Sequence, residues 1–213
     1  MTARSDYLVV TLTALTLATA GCGNWQGKSS DPPARRAPVE ETGFALRGMD
    51  GSVWESACIA GSEKKESARI VWTMADLTME KLTSYFHGTD CAAAGMYAQR
   101  GIGYEQVRVS DHSDRIAGSL RVRSRVTAVT FAPTEEAFAA TMNAESAYGF
   151  TDWTTSVFKD VSGLTWESGS QAEPKKGKSL SLVYKIEGDT MWFAWNNPDG
   201  SWYFDTNEPF FRQ

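Results

Sequence analysis

From about Gly43 onward, apolar positions recur with period two in short runs bounded by glycine, asparagine, aspartate and proline, while helical spacing is scarce. The first run is Ser52 to Cys58, after the turn Met49-Asp50-Gly51. Ser67 to Met74 follows, with Ala68, Ile70, Trp72 and Met74 on one face against Arg69, Val71 and Thr73. Met79 to His87 is the third run. Tyr97 and Gly103 to Val109 predict one or two more strands, with Gly101 and Gly103 admitting a bend or bulge. The longest run is Ile116 to Phe131, where Leu120, Val122, Ser124 and Val126 alternate with Arg121, Arg123, Arg125 and Thr127. Leu180 to Ile186, the turn Glu187-Gly188-Asp189 and Met191 to Trp195 form a hairpin, followed by the turn residues Asn196 to Gly200 and by Trp202-Tyr203-Phe204. One helix is predicted, with Thr134 as its N-cap, Glu135 and Glu136 at its positive end, Phe138 and Met142 four apart, and an end near Tyr148-Gly149. About eight mostly antiparallel strands and one short helix in about 170 residues predict a closed barrel or curved sandwich.

The N-terminus has a different pattern. Tyr7 to Ala20 is an apolar stretch of about 14 residues behind Arg4 and Asp6, too short to span a bilayer, which needs about 20. One positive charge, an apolar centre and small residues at the end are the layout of an export signal. Its end, Ala18-Thr19-Ala20-Gly21-Cys22, resembles the bacterial lipobox, in which the cysteine is acylated and becomes the mature N-terminus. Thr19 stands where that box usually has leucine, and Ala18-Thr19-Ala20 also reads as a plain secretory cleavage site. The expected organisation is a lipoprotein signal peptide over 1–21, a lipidated Cys22 with a flexible tether over 22–42, and a β-barrel domain over 43–213. The tether holds Pro32, Pro33, Arg35, Arg36 and Pro38, with only Trp25 and Val39 as sizeable apolar groups, and has no apolar period.

The three cysteines fit this division. With Cys22 taken by lipid, Cys58 and Cys91 remain as an even pair in a compartment where disulfides persist. A bridge between them would close a loop of about 34 residues and add about 4 kcal/mol in the chain-entropy account. A metal pair or a catalytic thiol is the alternative, though neither cysteine has a second ligand at metal spacing. The net charge of −5 survives loss of residues 1–21, which removes Arg4 and Asp6 together. An acidic chain gives no support to a nucleic-acid partner. Attachment to a lipid bilayer therefore has to come from acyl chains rather than charge.

The stretch from Trp54 and Cys58 through Asp90-Cys91 to Gly103-Tyr104, about a quarter of the chain, resembles lipocalin-like (calycin) small barrels, including bacterial lipoproteins of that type. The lipocalin Gly-x-Trp signature is one residue too long here, at Gly51-Ser52-Val53-Trp54. What the resemblance implies is a single antiparallel lipocalin-like β-barrel, with Trp54 as the aromatic plug at its start and Arg212 the candidate for its cationic partner.

Chemistry-bearing clusters are few. Asp111-His112-Ser113-Asp114 holds two carboxylates and an imidazole, enough for a cation site or an acid-base pair, but it lies between two strands and is ordinary turn composition. The Arg121, Arg123, Arg125 ladder could bind an anion or form a solvated outer face. No serine sits in a nucleophile elbow, and Glu167-Ser168-Gly169-Ser170 lies in a polar loop. No catalytic residues, metal ligands or cofactor are expected. Eight tryptophans could line an apolar cavity or fill a small barrel's core. With the cavity reading, Trp72, Trp192 and Tyr184 are the candidate ligand-binding residues. The expectation is a bacterial cell-envelope lipoprotein, on the outer membrane in a Gram-negative cell, carrying a small apolar ligand without catalysis. The alternative is an envelope structural or protein-interaction lipoprotein with a filled barrel core.

Overall fold

The computed structural model describes residues 42–61, 65–113, 115–167, 170–196 and 201–213. The signal peptide, Cys22 and the tether up to residue 41 lie outside the described residues. Eleven strands follow in chain order: β1 (Ser52–Ser56), β2 (Ile59–Ala60), β3 (Glu66–Ala75), β4 (Thr78–His87), β5 (Met96–Asp111), β6 (Ser119–Pro133), β7 (Lys159–Asp160), β8 (Ser179–Glu187), β9 (Thr190–Asn196), β10 (Trp202–Phe204) and β11 (Phe210–Arg212). Between β6 and β7 lies the helix α1 (Glu136–Ala144).

Eight of these strands close on themselves in the order β1, β11, β9, β8, β6, β5, β4, β3 and back to β1, every pairing antiparallel. The result is the closed eight-stranded antiparallel barrel with one short helix that the resemblance implies. Closure satisfies the edge hydrogen bonds that an open sheet would leave exposed. β2, β7 and β10 are short additions beside β3, β6 and β9.

Antiparallel pairing places directly opposed residues on one face. Trp54 opposes Trp72, Trp72 opposes Lys81, Lys81 opposes Ile102 and Ile102 opposes Val129. On the far wall Leu120 opposes Tyr184, Tyr184 opposes Phe193, and Met191 opposes Phe210. These residues, Lys81 apart, pack into one core cluster or against it, so this face is the barrel interior.

β5 runs unbroken where the sequence left one strand or two; its register shifts against β6 at Gly103/Tyr104 and between Glu105 and Arg108, and against β4 at Tyr97. The glycines serve close approach. A Cβ at Gly101 would sit 2.7 Å from the Thr130 hydroxyl and one at Gly103 2.6 Å from that of Thr127. Thr134 does not cap the helix. Its hydroxyl donates to the Met96 carbonyl at 2.8 Å, Glu135 takes the N-cap position without a side-chain cap bond, and α1 ends at Ala144. Tyr148 then turns back with φ +56°, in a 3-10 turn (Ala147–Gly149) separate from the helix.

Both ends of the barrel are furnished by chain outside the strands. At the first, Thr42, the last residue of the expected tether, already bridges Val109, and a 3-10 turn (Ala45–Arg47) is flanked by the buried Phe44 and Met49. At the other, α1 and the segment behind it bring Phe138, Tyr148, Trp153 and Trp166 around Phe131. Cys58 and Cys91 form a disulfide across 33 residues of sequence, with Cα atoms 5.7 Å apart, which excludes the metal-pair and free-thiol alternatives for them. No helix among the described residues is long and apolar enough to cross a membrane.

Candidate functional site

The middle of the barrel interior is aromatic on one wall and cationic on the adjoining one. Trp72 stacks on Tyr104 at 6.0 Å and tilts against Phe193 at 5.4 Å, and Phe193 meets Phe210 edge-on at 5.2 Å. Over the Trp72 ring, 5.5 Å from its centre, lies the Lys81 ammonium. The indole Nε1 of Trp72 is buried and has no hydrogen-bond partner. Burial, reinforced by the like charge of Arg100 and opposed by Glu208, lowers the Lys81 pKa to about 8. Burial likewise pushes Tyr104 up to about 12. Glu208 is raised, by its own burial and then by Asp205, with Lys81 pulling the other way.

Toward the helix end, Arg100 opposes Thr83 and Phe131 and points inward, where Glu173 meets it in an ion pair. Arg100 Nε donates to both carboxylate oxygens at 3.1 Å, and the Tyr148 hydroxyl donates to Glu173 Oε1 at 3.0 Å. This second cation is therefore satisfied inside the fold. Lys81 has no hydrogen-bond or ion-pair partner among the described residues.

Several inward side chains remain partly exposed: Ile70, Lys81, Tyr85, Leu180, Leu182 and Phe193. Apart from Leu180, which also borders the groove beside Arg123 and Arg125, this partial exposure marks an interior face that its neighbours do not completely cover.

Of the sequence-predicted ligand residues, Trp72 and Tyr184 face this interior, though not the same part of it. Tyr184 is fully buried near the Met49 end, its hydroxyl 3.5 Å from the Met49 sulfur. Trp192 opposes Lys185, on the outward face of the β8–β9 pair. The structure thus brings Trp72 together with Lys81, Tyr104 and Phe193, none of which the sequence singled out. Alternation groups Lys81 with Met79, Thr83 and Tyr85, but with Leu82 and Phe86 on the opposite face it does not distinguish which face turns inward.

The remaining clusters resolve as structure. The Ser113 side chain and then its backbone N–H, 2.7 Å from the carboxylate, lower the Asp111 pKa as turn bonds, while His112 is buried against Trp202 and Arg121. Asp114 lies outside the described residues. Arg123 and Arg125 point outward, opposite Arg108 and Glu105, and border an open groove of about 370 Å³ with Gln106, Ser179 and Ser181. Among the described residues no three metal-ligating side chains gather. Ser168 and Gly169 of the polar loop lie outside the described residues.

A scan against protein-family models finds none that matches this chain, and a search of curated proteins finds no significant relative. The functional reading therefore rests on the barrel's own geometry.

Proposed function

We propose that this chain is a cell-envelope lipoprotein, acylated at Cys22, whose lipocalin-like barrel binds and carries a small apolar ligand without catalysis. The observation that carries the binding reading is the incompletely covered apolar interior beside Trp72. Ile70, Leu182 and Phe193 are apolar, inward-facing and still partly exposed. Apolar surface left open to water inside a rigid wall gains about 25 cal/mol per Å² when an apolar occupant covers it. The anchor reading rests on the lipobox-like sequence ending at Cys22, with the tether behind it giving the barrel reach from a bilayer surface.

Two measurements test these halves separately. Growth with an alkynyl fatty acid should label the full chain and leave Cys22→Ser unlabelled; equal labelling of both removes the anchor. Titration with the neutral apolar dye N-phenyl-1-naphthylamine should give saturable binding that Trp72→Ala weakens. A dye that binds without saturation, or indifferently to Trp72, removes the carrier reading. In that case the exposed, directly opposed pair Trp195 and Tyr203, 42% and 46% exposed, favours the second reading, a docking face for another envelope protein. Cross-linking in membranes through this pair would recover that partner.

A further inference from the structure

Resting on the reading that the barrel interior takes an apolar molecule, the chemistry of its wall narrows what that molecule is. Trp72 and Lys81 are direct cross-strand neighbours on the inward face. Each presents a hydrogen-bond donor without an acceptor: the buried indole Nε1 and the ammonium, which makes only a cation-π contact at 5.5 Å. A buried donor left unpaired costs about 1–3 kcal/mol, and an uncompensated charge costs more. The other cation in the interior, Arg100, is already matched by Glu173 and Tyr148. Glu208, exposed on the β10–β11 connection, acts on Lys81 through its field and forms no ion pair with it among the described residues. Around these two donors the wall is apolar, formed by Ile70, Ile102 and Phe193.

We propose that the barrel binds an amphiphile with one anionic head group, a carboxylate, which accepts from Lys81 Nζ and Trp72 Nε1 while its hydrocarbon chain covers Phe193 and Ile70. An apolar ligand ending in a neutral donor such as an alcohol leaves the ammonium without its counter-charge. One head group suffices, since Lys81 is the single inward cation among the described residues that lacks a carboxylate partner.

The test compares dodecanoate with dodecan-1-ol, which share a chain and differ in the head. Both are titrated into the full chain carrying Cys22→Ser, which cannot hold an acyl group, with tryptophan fluorescence as readout. Dodecanoate should bind at least tenfold tighter than dodecan-1-ol. Lys81→Met should erase that preference without weakening dodecan-1-ol. Trp72→Phe, which keeps a ring and deletes the N–H, should weaken dodecanoate about threefold and spare the alcohol, and it carries the test if Lys81→Met does not fold. Equal binding of the two ligands, or a preference that survives both substitutions, overturns the head-group assignment and leaves the apolar-carrier reading standing. Saturable binding of neither overturns both.

Discussion

The guanidinium of Arg212 lies 5.0 Å above the ring of Trp54, and the two residues face each other directly across β1 and β11. Trp54 is fully buried, its indole N–H donating to the Ser52 hydroxyl at 3.0 Å, while Arg212 stays exposed and covers it. The last strand of the barrel is thereby fastened to the first by residues 158 positions apart. Arg212→Leu should cost about 0.5–1 kcal/mol, the value of a solvent-exposed cation-π contact. Trp54→Ala should cost about 3–5 kcal/mol, because the emptied site lies at the closure of the barrel. Urea unfolding of both variants checks the order, and an Arg212 variant as damaging as the Trp54 one would mean that the seam depends on more than ring coverage.

Arg100 and Glu173 form a largely buried ion pair, with side chains 19% and 13% exposed. Removing one partner strands the other charge, so Glu173→Gln should destabilise the protein by about 3 kcal/mol. Replacing both, Arg100→Met with Glu173→Met, should recover most of that loss. A double-mutant cycle in urea measures the coupling, and additive losses would show that the pair is not the unit that matters.

Lys81 predicts an unusual alkaline stability profile for the ligand-free protein. Its folded pKa of about 8 lies below the ordinary lysine value of 10.5, so between these the unfolded chain holds a proton that the folded chain has released. Stability should therefore rise from pH 8 toward 10.5, and below pH 8 the full penalty applies. Lys81→Met should stabilise the protein at pH 7 by about 2 kcal/mol, a gain that shrinks as the pH approaches 10. Arg100 and Glu208, the charged groups that act on Lys81, stay in place in this comparison. A pH-independent difference between wild type and variant would place the Lys81 ammonium in water.

The Cys58–Cys91 bridge joins the segment after β1 to the one before β5. Reduction should lower stability by up to about 4 kcal/mol, mainly by freeing the unfolded chain, and the folded barrel should persist, since its eight-strand ring closes through hydrogen bonds alone. Circular dichroism before and after a reductant tests this. Loss of the β signal at 25 °C on reduction alone would make the bridge a condition of folding.

Much of this barrel was legible along the chain, because period-two alternation reports local backbone geometry directly. Strands β3, β4, β6, β8 and β9 lie within a few residues of their predicted limits. Three further elements were not legible. β11 is three residues long, too short to show a period, and exists because β1 and β9 lie on either side of it. Thr134 has the composition of an N-cap, but the Met96 carbonyl competes for its hydroxyl, and that carbonyl is 38 residues away. Trp192, a candidate lining residue, faces outward, and nothing along β4 marks Lys81 as inward.

Strand β4 shows where sequence information stops. Alternation divides a strand into two faces but does not say which one a closed sheet turns inward when both carry apolar groups, as β4 does with Met79 and Tyr85 against Leu82 and Phe86. By itself the sequence determined the strand periods and the even cysteine pair, which are local patterns or pairs of rare residues; the Trp54–Arg212 contact, which the resemblance only suggested, is decided by the pairing of β1 with β11. Only closure of the ring decided that Lys81 points at Trp72, because the inward face of β4 is set by its register with β3 and β5, and register is a relation between strands.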